Sequence, residues 1–179
     1  MLNTNNFRCV GGIKMEIIKI EDLSFSYSTQ EKKALKKVNL IIEEGDFIVV
    51  CGKSGCGKST LLRHFKTPLT PHGSRQGNIL YKGQVLEYVD NRTQASEIGF
   101  VLQDPEGQIV TDKVWHELAF GLESLGYDNE TIRLKVSEMA SYFGIQEWFM
   151  REVIELSGGQ KQILNLASIM AMNPKVLEI

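Results

Sequence analysis

The sequence is short of cysteine, proline and tryptophan, and it carries almost no excess of charge. Its three cysteines, Cys9, Cys51 and Cys56, lack the paired spacing of a zinc site. They are expected as reduced thiols in a cytosolic setting. The net charge of −2 leaves no basic footprint for a nucleic acid, and none is expected as a partner. No uninterrupted apolar run approaches the roughly 20 residues that cross a bilayer. A membrane role would therefore need a partner that supplies the spanning helices. Two of the four prolines fall together in Thr67-Pro-Leu-Thr-Pro-His-Gly-Ser74, which marks a connection rather than an element.

What is present is ordinary for a globular domain. Hydrophobic residues make up 42% and charged residues 23% of 179 residues, enough for one sizeable core. The stretch around which the chain is organised is 46–60, Asp46-Phe-Ile-Val-Val-Cys-Gly-Lys-Ser-Gly-Cys-Gly-Lys-Ser-Thr60. Phe47 to Cys51 reads as a buried strand. Gly52, Lys53, Ser54, Gly55, Cys56, Gly57, Lys58 and Ser59 then fit G-x-x-x-x-G-K-[ST], the phosphate-binding loop. Glycines let the backbone turn tightly and aim N–H groups at phosphate oxygens. Lys58 can reach the β- and γ-phosphates, and the Ser59 hydroxyl can reach Mg²⁺. Ser59 to Lys66 reads as a helix whose start favours the anion. Cys56 lies inside the loop, so its alkylation is expected to hinder nucleotide binding.

Residues 1–14 show neither helical nor strand periodicity and are expected to be poorly ordered. Gly11-Gly12-Ile13-Lys14-Met15 back-translates to a purine-rich stretch compatible with a ribosome-binding site, so translation is expected to start at Met15. Ile17, Ile18 and Ile20 form one strand pattern, Leu23 to Tyr27 alternates, and Ala34 to Ile42 makes another strand. Tyr27 ends a strand and has two readings, an adenine-stacking ring or a half-buried strand aromatic. Gly77 to Gly83 reads as a short strand and turn. Glu97 to Leu102 reads as a buried strand leading into Gln103-Asp-Pro-Glu-Gly-Gln108. A Gln directly after such a strand could contact Mg²⁺ or a water, and a solvated loop Gln is the plainer reading.

Residues 111–143 are expected to be helical. Val114, Leu118, Phe120 and Leu122 sit at near-helical spacing, and Asp128-Asn-Glu-Thr131 supplies capping residues for a second helix through Phe143. Trp115 and Trp148 are expected to pack in a core or a partner interface, and His116 to lie on a surface or interface. Leu156-Ser-Gly-Gly-Gln160 opens a last helix over 160–172, with Ser157 at the N-cap. Gly158 and Gly159 make a second possible anion site about 100 residues after the first. Asn173-Pro174 stops that helix, and Lys175 to Ile179 starts like a strand.

A phosphate loop, a strand followed by Gln103, and Leu156-Ser-Gly-Gly-Gln160, in this order and at these separations, resemble the ATP-binding cassette of ABC transporters. The resemblance covers Ile17 to Leu177. Phe25-Ser-Tyr27, Gln103-Asp-Pro105 with Gln108, and Val114-Trp-His-Glu-Leu-Ala-Phe-Gly-Leu122 are similar to the ATPase subunits of energy-coupling factor (ECF) vitamin and metal transporters. Leu69 to Gly73 and Lys161 to Ser168 resemble the first half of their duplicated form. Ile163 stands where Arg is commoner after LSGGQ-x-Q, as in that subgroup.

The resemblance implies an α/β fold: a P-loop NTPase core, an N-terminal antiparallel β subdomain and a helical subdomain at about 104–155. Residues 15–179 would form an incomplete ABC domain whose core lacks its C-terminal part and exposes a sheet edge. It implies that Tyr27 stacks on adenine and that Gly52 to Thr60 hold the triphosphate of ATP. Lys58 and Gln103 would act in catalysis, and Ser59 and Gln103 at Mg²⁺. Ser157, Gly158, Gly159 and Gln160 would contact ATP on the opposite cassette, whether in a second copy, a different subunit or the same polypeptide. The 103–125 region would face membrane-embedded subunits, placing the protein peripherally on the cytoplasmic face of the plasma membrane.

Family members continue, after a stretch like Pro174 to Leu177, into a strand that ends in Asp-Glu. Glu178 comes too early to be that Glu, so its role is not transferred. Little turnover is expected of these residues alone. The expected function is ATP-driven import of a vitamin or metal-type micronutrient. A non-transport ABC ATPase and a non-catalytic nucleotide-binding fragment are the alternatives.

Overall fold

The computed structural model describes residues 15–29 and 32–179. The expectations for 1–14 fall outside the described residues. The chain divides into two compact units, one up to Asp90 and one from Asn91 to Ile179.

The first unit is built on an antiparallel sheet. Its strands are β1 (Glu16–Tyr27), β2 (Leu35–Glu43), β3 (Gly73–Tyr81) and β4 (Gln84–Val85), in the order β2-β1-β3-β4. The two apolar patterns at 17–27 are one continuous strand. Ile18 and Ile20 are buried in one phase of the alternation, Leu23 and Phe25 in the other. Side chains alternate with a strict period of two, so the phase can change only where an extra residue is absorbed. That residue is in the bulge between Ile20 and Leu23, where Asp22 adopts φ +48. The Asn39 side chain accepts from the Asp22 N–H at 2.9 Å and donates to its carboxylate at 3.0 Å. Gly77 faces the bulge at φ +87, and a Cβ there would lie 2.4 Å from the Glu21 carbonyl oxygen.

β3 starts at Gly73, earlier than the apolar pattern at 77–83 suggests, because the far half of β1 needs a partner. Tyr27 pairs with Gly73 and Phe25 with Arg75. The helix expected after the phosphate loop is α1 (Lys58–Arg63), which buries Thr60 and Leu61. Phe47 to Cys51 does not form the buried strand expected of it. It belongs to neither sheet, and Phe47 is 90% and Val49 66% exposed. A short apolar run becomes a buried strand only when neighbouring strands take up its N–H and C=O groups and cover its faces. No ladder among the described residues does so.

The second unit contains α2 (Asn91–Glu97), β5 (Ile98–Phe100), α3 (Val114–Ser124), α4 (Asn129–Tyr142), α5 (Gly158–Ala171) and β6 (Val176–Glu178). β5 and β6 pair in parallel, with Ile98 opposite Val176 and Phe100 opposite Glu178. The core is helical: Leu118 and Leu122 of α3, Val136 of α4 and Leu164 of α5 meet Ile145 and Trp148. Asp128 caps α4 by accepting from the Thr131 N–H at 2.9 Å, and this bond holds its carboxyl below the usual value. Asn173, at φ +56, and Pro174 end α5 as expected.

Two details depart from the periodic reading. Phe120 is 42% exposed, because it lies about 200° round the helix from buried Leu118. The tryptophans also differ. Trp148 is buried in the helical core, whereas Trp115 is 39% exposed and stacks on His116 with centroids 5.1 Å apart.

Candidate functional site

The candidate residues fall in both units. In the first, the loop from Gly52 turns through left-handed backbone at Gly55 (φ +75) and Gly57 (φ +100). Gly57 cannot carry a side chain, since a Cβ would lie 2.7 Å from the Ala34 carbonyl oxygen at the start of β2. The Cys56 N–H donates to the Lys53 carbonyl at 3.2 Å, which closes a tight turn. Lys58 is the first residue of α1. Its ammonium donates to the carbonyls of Gly52 at 2.9 Å and Lys53 at 3.1 Å, and lies 4.0 Å from Cys56 Sγ. A cation is thereby held against the start of the loop, with Ser59 exposed beside it.

Behind the loop is a cluster that joins Tyr27 to α1. The Tyr27 hydroxyl lies 2.8 Å from Thr60 Oγ1. His64, fully buried, contacts the Thr60 carbonyl through Nδ1 at 2.6 Å. A carbonyl only accepts, so Nδ1 carries the proton. The Phe25 ring packs edge-on against both Tyr27 and His64, at 5.0 and 4.7 Å. Burial pushes the His64 imidazole below its ordinary value, the bond to Thr60 opposes this, and Arg75, ion-paired with Glu87, adds to the lowering.

In the second unit, Gln103 is exposed on the loop after β5. That loop is closed by Gln108, whose side chain accepts from the Leu102 N–H at 2.7 Å and donates to the Phe100 carbonyl at 2.9 Å. It is tied to α5 at two points. Asn165 donates to the Pro105 carbonyl at 3.1 Å, and Lys161 pairs with Glu106 at 2.6 Å. Ser157 is the N-cap of α5 and forms a capping box. Its N–H donates to Gln160 Oε1 at 2.9 Å, and its hydroxyl accepts from the Gln160 N–H at 3.3 Å. The helix begins at Gly158, two residues before the start expected from its apolar pattern. Gly158 and Gly159 are exposed, with open space where a Cβ would stand.

The structure thus brings Tyr27 to Thr60, Lys58 to Gly52 and Lys53, and Ser157 to Gln160. Among the described residues no group of His, Cys, Asp and Glu is arranged to hold a metal ion. Among the buried polar residues that sequence reasoning passed over are His64, Asn165 and Glu117. The Glu117 carboxylate accepts the N–H groups of Val110 and Thr111 at 3.1 and 2.9 Å. Each lies within a helical pattern, where the sequence does not show which loop it will meet.

The family model described as ABC transporter matches residues 35–179. The chain belongs to the ABC transporter ATP-binding family. This cassette is 45% identical over 159 residues to a Bacillus anthracis protein provisionally named an ABC transporter ATP-binding protein. The match covers 89% of the chain and 29% of that relative. A similarly named Methanosarcina mazei protein is 35% identical over 161 residues, which is 90% of the chain and 48% of the relative. The chain therefore spans less than a third of one relative and about half of the other.

Among solved structures, the cassette matches cbiO1 from Clostridium perfringens, described as part of the ABC transporter complex cbiONQ. The TM-score is 0.73 at 30% identity, covering 90% of this chain and 64% of that one. It also matches the ATP-binding cassette MJ0796, at TM-score 0.72 and 24% identity over 90% of this chain and 72% of that one, which supports the fold alone. The architecture is mixed α/β of the P-loop type, and these 179 residues cover part of a cassette. Among the described residues no helix is long and apolar enough to cross a membrane.

Proposed function

We propose that this chain is the ATP-binding part of a transport ATPase of the ECF type, energising import of a vitamin or metal-type micronutrient. The observation that carries the reading is the phosphate loop closed around Lys58, in a chain 30% identical to a component of the cbiONQ transporter complex. Gly52 to Thr60 hold the triphosphate, and Tyr27 stacks on adenine. A Mg²⁺ bound with ATP would neutralise phosphate charge, and Ser59 is the loop residue that would hold it. The donor set fits such an ion. Mg²⁺ keeps waters and takes few protein oxygens beyond the substrate phosphates, and the exposed Ser59 hydroxyl of the loop supplies one.

Ser157 to Gln160 form an exposed helix start; the capping box takes up the N–H groups of Ser157 and Gln160, and those of Gly158 and Gly159 are left to meet a phosphate from outside the chain. In this reading that phosphate belongs to ATP on an opposing cassette, and binding closes the pair. The matched segment is under a third of the Bacillus relative, which leaves room for a second cassette in one polypeptide. Exposed Trp115 and Phe120 on α3 suit contact with membrane-embedded subunits, holding the protein at the cytoplasmic face of the plasma membrane.

The test is affinity purification of the protein expressed with its genomic neighbours. The expected result is co-purification with integral membrane proteins and ATP-dependent pairing of cassettes. Recovery with ribosomes or DNA would point instead to a non-transport ABC ATPase and overturn the reading.

A further inference from the structure

We propose that the Tyr27 hydroxyl is a positioning group for phosphate, acting through Thr60, in addition to any role of the Tyr27 ring at the base. The inference rests on the nucleotide-binding reading of the 52–60 loop.

Thr60 is held at both polar ends. Its carbonyl takes the His64 Nδ1 proton at 2.6 Å, and its hydroxyl meets Tyr27 at 2.8 Å. It is 7% exposed, so its hydroxyl has few alternatives in solvent. One proton lies between the two oxygens. A phenol is a better donor than an aliphatic hydroxyl, so Tyr27 donates and Thr60 Oγ1 accepts. That leaves the Thr60 proton directed away from Tyr27, on a residue adjacent to Ser59 and two after Lys58.

A hydroxyl that already accepts a hydrogen bond is a stronger donor in turn. A phosphate oxygen in the loop would be the acceptor, giving the chain Tyr27 O–H to Thr60 O–H to phosphate. Tyr27 itself is fixed from two sides. Its backbone pairs with Gly73 across the sheet, and its ring meets the edge of Phe25, which also packs on buried His64. The phenol therefore reaches Thr60 from a rigid strand rather than a mobile loop. A ring that only stacked on a base would need no hydroxyl.

The test is a double-mutant cycle of Tyr27→Phe and Thr60→Val, read by calorimetric titration with two probes, ATP and inorganic tripolyphosphate, each with Mg²⁺. Tripolyphosphate has no base, so it isolates the phosphate contribution. Both substitutions keep side-chain volume, and the melting temperature of each variant is recorded. Tyr27→Phe is expected to weaken tripolyphosphate binding about 3- to 10-fold, the size of one hydrogen bond between neutral groups. In the Thr60→Val background the same change is expected to do nothing further. In the Thr60→Ser background, which keeps the hydroxyl, the Tyr27 effect must return.

Three results would overturn the inference alone: unchanged tripolyphosphate affinity in Tyr27→Phe, an equal loss in the Thr60→Val background, or no Tyr27 effect in the Thr60→Ser background. If the folded wild-type chain bound neither probe, the nucleotide-binding reading would fail and take this inference with it.

Discussion

The side-chain amide of Asn165, in the middle of α5, donates to the backbone carbonyl of Pro105 at 3.1 Å. Asn165 is fully buried, and Pro105 lies in the loop that begins with Gln103. One turn earlier on α5, Lys161 pairs with Glu106 and holds that carboxyl below its usual value. The helix that starts at Ser157 and the loop that carries Gln103 are therefore fastened together within one unit. Asn165→Ala removes the donor and leaves a small void, so it is expected to cost about 2 kcal/mol in urea unfolding. Asn165→Asp sets a carboxylate against a carbonyl and is expected to cost more. Equal stability of all three proteins would show that the contact holds nothing.

Gly55 and Gly57 both adopt left-handed backbone, but only Gly57 is crowded. Gly55→Ala is expected to cost about 1 kcal/mol from its backbone alone. Gly57→Ala adds a Cβ 2.7 Å from the Ala34 carbonyl oxygen, which neither backbone can easily relieve. It is expected to cost about 3 kcal/mol and to shift α1 away from β2. Thermal unfolding of the two variants checks the ordering.

His64 makes stability depend on pH. Its ordinary value is 6.5, and burial lowers it in the folded protein. The unfolded chain then binds a proton more readily than the folded one. The contribution is complete above about pH 6.5 and is lost as pH falls towards the folded value. The difference in unfolding free energy between wild type and His64→Phe should therefore narrow on acidification from pH 7.5 to 5. A constant difference would mean that His64 does not titrate as its burial requires.

The two tryptophans give a contrast that urea unfolding can measure. Trp148→Ala opens the helical core and is expected to cost about 3–5 kcal/mol. Trp115→Ala, on a half-open face of α3, is expected to cost about 1 kcal/mol. Acrylamide should quench the Trp115 emission and spare that of Trp148.

Elements with their own local signals were legible in the sequence. Asp128 and Ser157 cap helices by hydrogen bonds made within three residues, and Asn173-Pro174 stops one by backbone geometry alone. β5 and β6 were legible as short apolar runs. What failed depends on distant partners. Phe47 to Cys51 has a strand's composition, but composition does not say whether other strands flank it. The bulge at Asp22 is set by pairing with β2 and β3, so the apolar pattern showed two strands where one exists. The polar links of His64, Asn165 and Glu117 join residues on helices to backbone whose position only the folded chain defines. The turns of the 52–59 loop were readable because glycines such as Gly55 and Gly57 encode left-handed backbone locally. Tyr27's bond to Thr60, 33 residues away, was not.

The most direct measurement is calorimetric titration of the purified chain with ATP and Mg²⁺, beside Lys58→Ala. Lys58 closes the loop onto Gly52 and Lys53 and is the cation proposed to meet the terminal phosphates. The account predicts saturable binding by the wild type, weakened roughly 10-fold or more in the variant, as for loss of one charge-assisted contact. A folded wild type that binds no ATP, or a Lys58→Ala variant that binds equally well, would contradict it.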